Sequence, residues 1–164
     1  MVSLIHVHLL LNHLPIFMSA IGLLLLLVAG WRSDQALLRI AFAVLVGSAL
    51  VTILTYMTGE GAAERAEQLP GVPRVLVDAH HDAALVAGIV VILLGGLAFW
   101  ALRHYQPSIE MPTALVRGVI VGAGVAAALM AYAGFRGGLI RHPEVRPRSM
   151  QTVGISTIQQ GAST

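Results

Sequence analysis

The sequence predicts an all-α, integral-membrane protein folded as an up-down four-helix bundle. Three observations point there. Charged residues make up 11% of the chain, against about 25% in soluble domains. Apolar residues make up 57%, and mean hydropathy is +0.82. The apolar residues gather in four runs, Leu14 to Gly30, Ile40 to Met57, Ala83 to Ala101 and Gly118 to Phe135. Each is near the ~20 residues that a hydrocarbon slab of about 30 Å demands. The runs carry almost no polar stripe of the kind a buried helix of a soluble protein shows.

Residues 1–148 read as a single transmembrane domain, with helices near 4–31, 36–57, 74–103 and 113–136, and residues 149–164 as a polar tail. No basic residue precedes the first run, which is also too long for the apolar core of a signal peptide, so it is expected to be retained. Pro15 has no N–H to give the carbonyl of Leu11, so helix one either kinks there or begins there. Arg32-Ser33-Asp34-Gln35 reads as a short turn into helix two. After that helix, Glu60 to Leu69 suits a short surface helix ended by Leu69-Pro70-Gly71. Pro73 suits the first turn of helix three. Pro107 and Pro112 break the chain between helices three and four. Short connections make successive helices antiparallel.

Helix four carries small residues at fourfold spacing, Gly118, Gly122 and Ala126, then Ala127 and Ala131. Such rows let helices approach closely in lipid, and less economically they leave room for a flat cofactor. Ser48, Thr52 and Thr55 form a mildly polar stripe on helix two, explained most simply by hydroxyls bonding back to helix carbonyls. Gly137-Gly138 permits a bend after helix four.

The chain has 7 histidines and no cysteine. Thiolate metal sites, Fe–S clusters and covalent c-type haem are thereby excluded within it. An up-down bundle gathers His6, His8, His13, His80, His81 and His142 at one membrane face and leaves His104 at the other. His13, beside Asn12 and Pro15, lies near the hydrocarbon boundary at a backbone irregularity. Membrane helices tolerate these mainly where they face protein or a cavity. The plainer alternative makes Asn12 a helix cap and His13 an interfacial side chain. Of the adjacent pair His80 and His81, His80 shares a face with Ala84 and Ala87 and is expected to point inward. His142 reads equally as an ordinary residue beyond helix four.

Haem b suits this pattern best. It needs one or two imidazoles from facing helices, an apolar slot and a polar exit for its propionates. His13 and His80 are the expected ligands, with His8 and His142 as further candidates, Asn12 nearby, and Arg136 and Arg141 to meet the propionates. A non-haem copper, iron or zinc site built from His8, His13, His80 and His142, with Asp82, Glu60 or Glu144 added, is a further reading. The intervening one is a cofactor-free accessory subunit. Electron transfer or an accessory role is favoured over an enzyme, since no hydrolase or phosphate-binding motif stands in context. The net charge of +2 gives no nucleic-acid footprint. The expected partners are the lipid bilayer and other subunits of a membrane respiratory complex or a redox carrier.

The segments Asn12-His13-Leu14-Pro15, Thr58-Gly59-Glu60, Leu69-Pro70-Gly71-Val72, His80-His81-Asp82-Ala83-Ala84 and Gly137 to Glu144 resemble an uncharacterised family of bacterial four-helix membrane proteins. The likeness runs to about Glu144. It implies His8, His13, His80 and His142 as the matching histidines and Asp82 as the usual acidic position, with His81 standing where a carboxylate is commoner. A looser architectural likeness is to small b-type cytochrome membrane subunits. The expected location is the bacterial inner membrane. Arg32 and Arg39 follow helix one and no basic residue precedes it, which puts the histidine face in the periplasm. Arg65, Arg74, Arg136, Arg141, Arg146 and Arg148 on the histidine side count the other way, four of them in the C-terminal segment.

Overall fold

The computed structural model describes residues 8, 11–67 and 72–146, without the side chains of 60–67, Arg141 and Pro143. Among the described residues its architecture is four long helices, α1 (Leu14–Arg32), α2 (Gln35–Glu67), α3 (Arg74–His104) and α4 (Thr113–Arg141), followed by a 3₁₀ turn, Pro143–Val145. All four are long and apolar enough to cross a membrane. The chain is a multi-pass membrane protein. Each helix packs on its neighbours in sequence, and α1 meets α4 to close the ring.

The proline decides where α1 starts. His8 and Leu11 are helical and the Asn12 amide donates to the His8 carbonyl at 2.8 Å, but Asn12 and His13 form a turn before α1. The first helix therefore begins at Leu14 rather than running unbroken from residue 4. Its other end is a two-residue turn. Ser33 takes a left-handed conformation, φ 52° and ψ 35°. Asp34 Oδ1 then accepts the amides of Ala36 and Leu37, each at 3.0 Å, and caps α2.

Two further boundaries move. α2 does not stop near Met57 to be followed by a separate surface helix; it continues to Glu67. No proline interrupts Thr58 to Glu67, and glycines at 59 and 61 lower helix propensity without ending it. The expected stop at Leu69-Pro70-Gly71 lies outside the described residues. Likewise α4 continues unbroken through Gly137-Gly138 and ends at Arg141. Arg146 folds back there, donating from Nε to the Leu139 carbonyl at 2.8 Å and from Nη2 to Ile140 at 2.9 Å. It occupies carbonyls that the helix end leaves unpaired.

The core follows one spacing in every helix. Buried positions run 15, 19, 22, 26, 29 in α1 and 38, 42, 45, 49, 52 in α2. They run 87, 91, 94, 98, 101 in α3 and 119, 123, 126, 130, 133 in α4. Alternating steps of four and three are the seam of a coiled-coil bundle. Much of the seam is small: Ser19, Gly22, Ala29, Ala49, Ala87, Ala98, Ala101, Ala123, Ala126 and Ala133. Large side chains such as Phe17, Leu24, Leu93, Val121 and Phe135 stand outside, where lipid solvates them. Between α2 and α3 the Gly95 backbone lies directly against Ala49 and the Leu45 carbonyl. At the α1–α2 interface Ser19 and Ser48 share a buried hydroxyl–hydroxyl bond of 3.2 Å. Thr52 and Thr55 bond back to the carbonyls of Ser48 and Val51, at 2.7 and 2.8 Å, as expected of that stripe.

Candidate functional site

At the end of the bundle where α1 starts, two histidines are held in the same way by two different helices. The ring of His8 donates from Nδ1 to the Thr55 carbonyl of α2 at 3.1 Å, with the Thr58 hydroxyl at 3.3 Å. The ring of His80, on α3, donates from Nδ1 to the Ala133 carbonyl of α4 at 3.0 Å. In each case the residue four positions after the accepting carbonyl is a glycine, and the ring rests on it. A Cβ at Gly59 would stand 3.4 Å from His8 Cε1, and one at Gly137 would stand 3.1 Å from His80 Cε1.

This pairing has a geometric cause. A helical Cβ tilts toward the N-terminus, so the side chain at n+4 covers the carbonyl of n. Glycine uncovers it. The carbonyl's second lone pair then accepts an imidazole N–H while its first keeps the helix bond. The consequence for the imidazole is chemical. With the proton on Nδ1, Nε2 is left with a free lone pair, and the tautomer is fixed by the backbone acceptor. Neither Nε2 has a hydrogen-bond partner among the described residues. His8 and His81 both lie close enough to His80 to act on it electrostatically.

Two buried polar atoms near this end lack partners among the described residues, Asn12 Oδ1 and Arg136 Nε. The turns that carry them are neighbours, because Ile16, one turn beyond Asn12, packs on Gly134 of α4. A buried donor or acceptor left unpaired costs about 1–3 kcal/mol. Arg136 Nη1 donates to the Tyr132 hydroxyl at 3.3 Å, and the guanidinium lies 5.8 Å from the Tyr132 ring centre.

The other expected site residues divide. His80, rather than His81, is indeed the inward member of its pair; His81 is exposed, 6.0 Å from the Tyr56 ring. His13 sits at the N-cap of α1, exposed, and caps nothing with its side chain. The Pro15 break ends the preceding turn there and directs His8, one turn earlier, onto α2 instead. His142 is exposed and joined to Glu144, Nδ1 to Oε1 at 2.9 Å. The Glu144 carboxyl is held below its usual range, first by its own backbone amide and then by His142. His6 and the side chains of Glu60 and Arg141 lie outside the described residues. Among the described residues no three His, Asp or Glu side chains converge as a metal-binding group.

Sequence reasoning named the histidines but missed their seats. Gly59 and Gly137 carry the signal, a glycine at the membrane end of a helix facing a histidine-bearing neighbour. It becomes legible only once the helices are paired. No protein family, curated protein or solved structure compared with this chain matches it.

Proposed function

We propose that this chain is a membrane electron-transfer protein that binds haem b at the His8–His80 end of the bundle. One observation carries the reading: His8 and His80 each give Nδ1–H to a helix carbonyl and keep Nε2 as an unshared lone pair. That is the state in which imidazole ligates iron, and the backbone acceptor is its usual outer partner. Two neutral imidazoles and no thiolate suit a b-type haem, which needs no convergence of three or four ligands.

The remaining residues fit the group. Arg136 offers a buried, unpartnered Nε–H for a propionate, and Asn12 offers a polar atom at the same end. When bound, haem would supply a one-electron ferric–ferrous couple. The protein's part is to hold the two rings, exclude bulk water and place the Nδ1 proton of each against a backbone carbonyl, which turns Nε2 toward the iron.

The reading differs from the sequence expectation in its ligand pair, with His8 replacing His13. The test is the visible spectrum of detergent-purified protein, oxidised and dithionite-reduced, from haem-replete cells. Soret and α bands should be present in the wild-type chain and in His13→Ala, and should be lost or strongly shifted in His8→Ala and in His80→Ala. Folded wild-type protein without these bands would overturn the assignment and favour a cofactor-free accessory subunit.

A further inference from the structure

The opposite end of the bundle holds a cleft of about 470 Å³ between the α1–α2 turn and the start of α4, the size of a small-molecule site. Its lining is of two kinds. Apolar Leu27, Val116 and Ile120 and charged Asp34, Glu110 and Arg117 all line it. α1 packs less extensively on α4 than α2 does on α3, so the apolar residues lie along the loosest seam of the ring.

We infer that this cleft binds the head of an aminophospholipid such as phosphatidylethanolamine. The cleft lies where one apolar span ends and another begins, α1 at Arg32 and α4 at Thr113, and a span long enough to cross hydrocarbon brings its ends to the headgroups. Trp31, 86% exposed on the cleft's rim, belongs at that boundary. The charges match the ligand. Arg117 and Glu110 line one cleft yet make no hydrogen bond or ion pair among the described residues. Asp34 uses Oδ1 to cap α2 and keeps Oδ2. Arg117 therefore receives the phosphate, Glu110 and Asp34 receive the ammonium, and the acyl chains leave along the α1–α4 seam. A primary ammonium donates hydrogen bonds to carboxylates; the trimethylated head of phosphatidylcholine has no N–H to donate. This selectivity does not depend on the haem reading.

The test is native mass spectrometry of the full chain released from bilayers of equimolar phosphatidylethanolamine, phosphatidylcholine and phosphatidylglycerol. The wild-type chain should retain one phosphatidylethanolamine in preference to either competitor, by about tenfold, as one charge-assisted contact would give. Glu110→Gln should erase the preference over phosphatidylcholine while keeping a lipid. Arg117→Gln should weaken retention of all three. Thermal unfolding equal to wild type identifies the variants as folded; Trp31→Leu serves in place of either that is not. Equal retention of the three lipids, preference for phosphatidylglycerol, no retained lipid, or unchanged selectivity in folded Glu110→Gln would each overturn the assignment.

Discussion

Gly137 and Gly138 are adjacent in sequence and in the same helix, yet alanine should have opposite effects at the two. A Cβ at Gly138 meets nothing within 4 Å. Gly138→Ala should stabilise the chain by about 0.5–1 kcal/mol, the ordinary gain of alanine over glycine inside a helix. A Cβ at Gly137 would stand 3.1 Å from His80 Cε1 and 3.2 Å from Nδ1. Ordinary carbon contacts need about 3.5–4.0 Å, so the ring must retreat by several tenths of an ångström. Its bond to the Ala133 carbonyl, 3.0 Å long, then stretches or breaks, at a net loss of about 0.5–1.5 kcal/mol. The loss offsets the helix gain. Gly137→Ala should be near wild type or slightly less stable, and roughly 1 kcal/mol below Gly138→Ala. Thermal unfolding in one detergent measures that gap. Nitrogen-15 spectra of the histidine rings add a direct reading. The His80 Nδ1–H signature should weaken in Gly137→Ala and remain in Gly138→Ala. Equal stabilisation by both substitutions, with unmoved His80 signals, would refute the seat-and-carbonyl account.

Gly95→Ala should cost about 1–3 kcal/mol, because its methyl group collides with Ala49 and stands 3.0 Å from the Leu45 carbonyl. Adding Ala49→Gly should recover most of it in a double-mutant cycle. Arg39→Ala removes bonds to the carbonyls of Tyr105, Gln106 and Ile109; it should loosen the α3–α4 connection by about 1–2 kcal/mol and speed its proteolysis. Ser19→Ala breaks the hydroxyl bond to Ser48 and should cost only about 0.6 kcal/mol, the average for interhelical bonds in membranes, and no more than about 1.7 kcal/mol. The Glu144 carboxyl should titrate below the usual glutamate range by carbon-13 NMR. Since its folded pKa is lowered, its contribution to ordering the Pro143–Val145 turn is present above the unfolded pKa. That contribution fades as pH falls through the folded one, and Glu144→Gln should remove the dependence.

The four-helix membrane fold was legible because four long apolar runs admit few other arrangements. The seam was not. In a soluble helix the apolar face is the buried face, but here Ala87, Ala98 and Ala101 are buried while Leu93, Phe99 and Trp100 are exposed. Hydrophobicity points the wrong way, and residue size carries the pattern instead. The clustering of histidines at one end followed from topology alone, and the choice of His80 over His81 from helix spacing, since alanines four and seven positions on marked its inner face. The place of His8 did not follow. It depends on how far Pro15 pushes back the start of α1 and on Gly59 lying opposite, 51 residues away. Arg136 was visible as a cation near the site, but its buried, unpartnered Nε was not, because burial of one atom depends on packing that composition does not encode.

Electron paramagnetic resonance of the oxidised, detergent-purified protein tests the central claim most directly, because it reports the ligands on iron rather than the mere presence of haem. A low-spin ferric signal with two imidazole ligands is predicted for the wild-type chain and for His13→Ala. His8→Ala and His80→Ala should each turn it high-spin or abolish it. The same low-spin signal in both of those variants, or its loss in His13→Ala alone, would contradict the account.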